Sequence, residues 1–154
     1  MKKVGSVPKK YLCKLIAKLN DKEYIKIKSE GFMDLTIKRM ESGYKTPLGE
    51  GTMYAMAHFY EEKGDQIPDP IVLFIMADSR TKDLNFYDLV GVYPYSIDYK
   101  NKPSHEPALI LENKSIDECY PAIYNDYVLF LDQWFINLRN QGFTSDVAEV
   151  FYKD

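Results

Sequence analysis

Apolar positions recur along the chain at two different spacings. Tyr11, Leu12, Leu15, Ile16 and Leu19 repeat at helical spacing and predict a first helix, with Ser6-Val7-Pro8 offering a capping oxygen and a first-turn proline. Asn20-Asp21 ends it. From Glu23 to Ser29 the period falls to two, with Ile25 and Ile27 on one face and Lys26 and Lys28 on the other. Phe32 to Met40 continues the alternation, Met33, Leu35 and Ile37 against Asp34, Thr36 and Lys38. Gly43, Pro47, Gly49 and Gly51 predict a loop over Glu41 to Gly51.

Thr52 to Glu61 has apolar residues on both alternating sets and predicts a strand, with a helix through Met53 to Glu62 as the alternative. A hairpin-like loop follows from Glu62 through Pro68 and Pro70. Ile71 to Ala77 reads as a central strand, and Phe86 to Tyr95 as another, ended or bulged at Pro94. Asn101 to Pro107 predicts a loop and Ala108 to Leu111 a short strand. Ile123, Tyr127, Phe130, Leu131, Trp134 and Leu138 then form the stripe of a long helix over Pro121 to Gln141, with Gly142 as its C-terminal cap. Thr144 to Tyr152 is a tail that forms a last turn or an edge strand. The pattern is therefore α+β: an antiparallel sheet of about five to six strands, with an N-terminal amphipathic helix and a long C-terminal helix packed on it. Without repeats or linkers, residues 1–154 read as one domain.

Composition adds an aromatic bias, since 13 of the 22 aromatic residues are tyrosine. Tyrosine suits half-buried sheet faces and interfaces alike, and Tyr87, Tyr93, Tyr95 and Tyr99 are the expected exposed aromatic patch. The net charge of −3 hides an asymmetry. Residues 1–40 carry eleven Lys/Arg against four Asp/Glu, a balance of +7; the remainder carries nine against nineteen, a balance of −10. Lys9, Lys10, Lys14 and Lys18 on the first helix are either its wet face or a positive patch for phosphates or an acidic partner. No apolar run is long enough for a membrane span, and Val4 to Lys10 forms no apolar leader core. Cys13 and Cys119 lack metal-ligand spacing and read as reduced thiols, so a cytoplasmic location is expected.

Chemistry is sparse. Gly49-Glu50-Gly51 lacks the lysine and the strand-to-helix context of a phosphate loop, and no nucleophile elbow occurs. Ser104 and His105 are sequence neighbours in a proline-bracketed loop, which is not the convergence a triad requires. The segment from Ala57 to Pro70 gathers His58, Glu61, Asp65 and Asp69, which could hold a hard cation or act as an acid–base set. The structural alternative packs His58 between strands and leaves the acids solvated in a turn.

Ala57-His58-Phe59-Tyr60-Glu61 with Gly64-Asp65 and Asp69-Pro70, and Phe130-Leu131-Asp132-Gln133-Trp134 with Leu138 and Gln141-Gly142, resemble two signatures of an uncharacterised family, a domain of unknown function. Its members are small proteins of Gram-positive bacteria and their phages and plasmids. Lys63 stands where that pattern has asparagine. The resemblance implies a fold and a mobile-element context, without an activity.

The expected function is a non-catalytic protein-interaction module, a mobile-element-encoded modulator of a host system, with another protein as partner and no catalytic residue or cofactor. The alternatives are a metal-assisted enzyme using His58, Glu61, Asp65 and Asp69, and nucleic-acid binding through Lys9, Lys10, Lys14 and Lys18.

Overall fold

The computed structural model describes residues 1–99 and 106–153, and the Ser104–His105 pair falls outside them. Helix α1 spans Ser6–Ala17 and helix α2 Pro121–Asn140. Eight strands are described: β1 (Tyr24–Lys28), β2 (Leu35–Thr46), β3 (Gly49–Glu62), β4 (Asp65–Asp78), β5 (Val90–Asp98), β6 (Leu109–Glu112), β7 (Ser115–Cys119) and β8 (Glu149–Lys153). They form one mostly antiparallel sheet whose main path runs β5-β4-β3-β2-β1-β8. The architecture is α+β, as the spacing predicts, with the Thr52–Glu61 segment in a strand and the C-terminal tail as an edge strand on β1.

Both helices cover one face. Tyr54 and Phe74 stack on that face, and Phe135 of α2 meets Phe74 edge-on at 6.4 Å. Helix α2 buries Tyr124, Val128, Leu131, Trp134, Phe135 and Leu138, while Ile123, Tyr127 and Phe130 flank that stripe half-buried. Leu12, Leu15 and Leu19 carry α1 into the same core. The turn after α2 is a Schellman motif: the Phe143 N–H donates to the Leu138 carbonyl at 3.1 Å, and the Gly142 N–H to the Arg139 carbonyl at 3.0 Å. Gly142 takes φ +90 there, a conformation that costs glycine least. None of the described helices is long and apolar enough to cross a membrane.

Four expectations are corrected. Glu62 to Pro70 is not a loop: the turn is Lys63-Gly64 alone, and Asp65 to Pro70 is the first half of β4, paired with Phe59 to Glu62 of β3. Glu41 to Gly51 is not a loop: it is the end of β2, a two-residue turn at Pro47-Leu48 and the start of β3. Register shifts between Arg39 and Tyr44 absorb the irregularity, and Thr46 staples the turn, accepting the Leu48 N–H and donating to the Gly49 carbonyl. Gly51 is required by close packing, since a Cβ there would stand 2.7 Å from Ile75 Cγ2. Strand β5 starts only at Val90, after a 3-10 turn at Tyr87–Leu89. Its bulge lies opposite the Leu73-Phe74 step, beside Pro94. Ser6 does not cap α1; the N-cap is Gly5, whose N–H donates to Asp132 Oδ1 of α2 at 2.8 Å.

The β6–β7 hairpin, whose second strand no sequence period predicts, turns one end of the sheet back on itself. Ala108 N–H bonds to the Tyr95 carbonyl on one side, and the Lys45 N–H to the Lys114 carbonyl on the other. At that end Met53 pairs with Ile75 on the face away from Phe74, and both are buried. At the other end, formed by β8, β1 and the first half of β2, no described helix or strand lies on the face away from the helices.

Candidate functional site

Strand β1 reads Tyr-Ile-Lys-Ile-Lys, and its alternation sets what the open face displays. Ile25 and Ile27 are fully buried under the helices, so Tyr24, Lys26 and Lys28 point the other way. The register adds their neighbours: Lys38 of β2 lies opposite Tyr24, Thr36 opposite Lys26, and Phe151 of β8 opposite Lys26 on the other side. Phe59 continues the row on β3, two residues beyond Ala57, which pairs with Thr36.

Three lysines and three aromatic rings thus share one face. Two grooves cross it. One, of about 870 Å³, is bordered by Tyr24, Lys26, Lys28, Lys38 and Phe151, with Glu23 and Tyr152 at its rim. The other, of about 460 Å³, runs from Tyr24 and Lys26 past Asp34 and Thr36 to Phe59 and Gln66. Tyr24 and Lys26 belong to both, so the path is continuous. The Lys28 ammonium lies 5.5 Å from the Phe151 ring centre and 4.0 Å from Asp34 Oδ2. Burial, and then the Asp34 carboxylate, push the Tyr24 phenol up from its ordinary pKa. Thr36 is turned inward and donates weakly to the Ala57 carbonyl at 3.4 Å, leaving the charged and aromatic groups to dominate the surface.

The residues singled out from the sequence fall elsewhere. His58 is 7 % exposed and sits under α2, edge-on to Trp134 at 5.8 Å and beside Phe143 at 5.5 Å. Its Nδ1–H donates to the Asp34 carbonyl at 3.2 Å, which fixes the tautomer because a carbonyl can only accept. Desolvation pushes its pKa below the ordinary value. Glu61 and Asp65 are exposed at the far end of the β3–β4 hairpin, whose turn is Lys63-Gly64, and Asp69 is half-buried in β4. Among the described residues no three His, Cys, Asp or Glu side chains are grouped to hold a metal ion.

The four tyrosines do not form an exposed patch. Tyr93 is buried, and Tyr87, Tyr95 and Tyr99 are half-buried against the core. Tyr87 lies under the Arg80 guanidinium and Tyr99 meets Phe130 edge-on at 5.1 Å, so their rings serve internal packing. The basic stripe of α1 is also divided. Lys9 is 4 % exposed and donates to the Val90 carbonyl at 2.9 Å, tying α1 to β5. Lys18 donates to the Ser145 carbonyl at 2.8 Å, and only Lys10 and Lys14 stand exposed. Cys13 and Cys119 are free thiols, and burial pushes Cys13 up.

The alternation of Lys26 and Lys28 against Ile25 and Ile27 is visible in the sequence, but Phe59 and Phe151 join them only through strand pairing. The fold and this face define a small α+β domain, two helices on one side of a mostly antiparallel sheet and a basic, aromatic surface on the other. The chain belongs to the family DUF6908, a domain of unknown function, which matches residues 9–144. The match runs from α1 through the end of α2 and stops before β8. No curated protein and no solved structure matches the chain.

Proposed function

We propose that this domain is a non-catalytic interaction module that meets a macromolecular partner through the open face of β8, β1, β2 and β3. One observation carries the reading: Lys26, Lys28 and Lys38 are interleaved with Tyr24, Phe59 and Phe151 on a sheet surface that no described helix covers. Flat rings and flexible cations on one rigid surface give contact area at low entropic cost and steer an anionic partner. The acid–base and metal reading has less support, because His58 is enclosed by aromatic rings while Glu61 and Asp65 stand at the exposed hairpin end.

Photo-crosslinking tests the reading. Phe151 and Leu129 are similarly exposed, at 48 % and 53 %, but lie on the sheet face and on α2 respectively. With benzoylphenylalanine at either position in the native cell, irradiation is expected to yield a defined heavier product from position 151 and none from 129. A product from 129 alone, or from neither, contradicts the proposal.

A further inference from the structure

We infer that the partner of the open face is a single-stranded nucleic acid; this rests on the interaction-module reading and names its ligand. The rings of Phe151, Tyr24 and Phe59 belong to three different strands, β8, β1 and β3, so the row crosses three strand spacings, roughly 14 Å. The lysines are placed within that row. Lys26 stands between Phe151 and Thr36 in the pairing register, Lys38 stands opposite Tyr24, and the Lys28 ammonium lies over Phe151.

The choice among anionic polymers follows from what each offers the rings. A duplex presents phosphates but keeps its base faces stacked inside, and an acidic protein surface offers carboxylates with rings only at scattered positions, not one beside every charge. A single strand offers both: phosphates for the lysines and base faces for the aromatic rings, which is how open sheets hold unpaired bases. The excess of cations in residues 1–40 is resolved in the same direction. Lys9, Lys18 and Arg39 donate to backbone carbonyls, whereas Lys26, Lys28 and Lys38 project from the open face, Lys28 with Asp34 4.0 Å away and Glu149 opposite it. The nucleic-acid surface is therefore the sheet rather than α1.

Fluorescence polarisation with labelled oligo-dT and oligo-U tests the assignment on the full chain, and the two arms distinguish DNA from RNA. Expected is binding of at least one, with log affinity falling against log salt with a slope of about −2 for three lysine–phosphate contacts. Phe151→Ala and Phe59→Ala are each expected to weaken binding about tenfold, provided circular dichroism shows the native fold. Lys10→Glu with Lys14→Glu is expected to leave affinity within about twofold, because these lysines lie outside the row. Failure of both oligonucleotides to bind at low salt, retention unchanged by the two ring substitutions, or polyglutamate binding as tightly overturns the inference. If neither oligonucleotide binds while position 151 still crosslinks a protein in cells, the nucleic-acid assignment falls and the interaction-module reading stands.

Discussion

Lys28 and Phe151, 123 positions apart, place an ammonium 5.5 Å from the centre of an exposed ring. The pair exists because β8 returns to the free edge of β1, with Lys28 opposite Glu149 and Lys26 opposite Phe151. Strand β8 thus supplies a hydrogen-bonding partner to β1 and an aromatic ring to the open face. Val150→Pro, which removes the N–H from the middle of β8, is expected to detach the strand. Hydrogen exchange should then show faster exchange in Tyr24–Lys28 while the β3–β4 core stays protected.

Lys9 behaves as a structural cation. Its stem is buried and its ammonium satisfies the Val90 carbonyl. Lys9→Ala leaves that acceptor unpaired and is expected to cost about 1–3 kcal/mol by urea denaturation. Lys10→Ala, on the exposed side of the same helix, should stay within about 0.5 kcal/mol.

The environment of His58 sets a pH dependence. Its folded pKa is depressed below the ordinary 6.5 by desolvation, so in the window below that value the unfolded chain binds a proton that the native state does not. Stability should therefore fall as pH drops from about 6.5 and level off once pH passes below the folded pKa. Comparing wild type with His58→Leu between about pH 7.5 and about pH 5 isolates the contribution, because the variant lacks this proton uptake. A wild-type slope no steeper than the variant's contradicts the buried, neutral assignment.

Gly51 tests the hairpin that replaces the expected loop. Its Cβ position lies 2.7 Å from Ile75 Cγ2, 3.0 Å from Thr46 Cγ2 and 3.3 Å from the Met76 carbonyl. Gly51→Ala should destabilise by about 1–3 kcal/mol through overpacking. A neutral result in thermal unfolding would show that the segment does not pack as described.

The extent to which the chain could be read in advance follows from where each force originates. Both helices, β1 and the middle stretches of β2, β3 and β4 were legible because Leu12, Leu15 and Leu19, or Ile25 and Ile27, repeat at the period of the element that buries them. The Glu41–Gly51 segment was not, since Gly51 answers to Ile75, a residue 24 positions away. His58 looked like a site residue because the acids near it in sequence stay together on paper. Folding turns the histidine under Trp134 and leaves Glu61 and Asp65 exposed at the hairpin end. The open face was half legible: the alternation of Tyr24, Lys26 and Lys28 is local, but Phe59 and Phe151 come from β3 and β8 and depend on pairing that no local pattern encodes.

The central claim is that the open sheet face binds a single-stranded nucleic acid. Chemical-shift mapping tests it most directly, by recording amide spectra of the full chain as oligo-dT or oligo-U is added. The account predicts shifts concentrated at Tyr24–Lys28, Lys38, Phe59 and Phe151, with Lys10 and Lys14 of α1 unmoved. Shifts confined to α1, or none with either oligonucleotide at low salt, would contradict it.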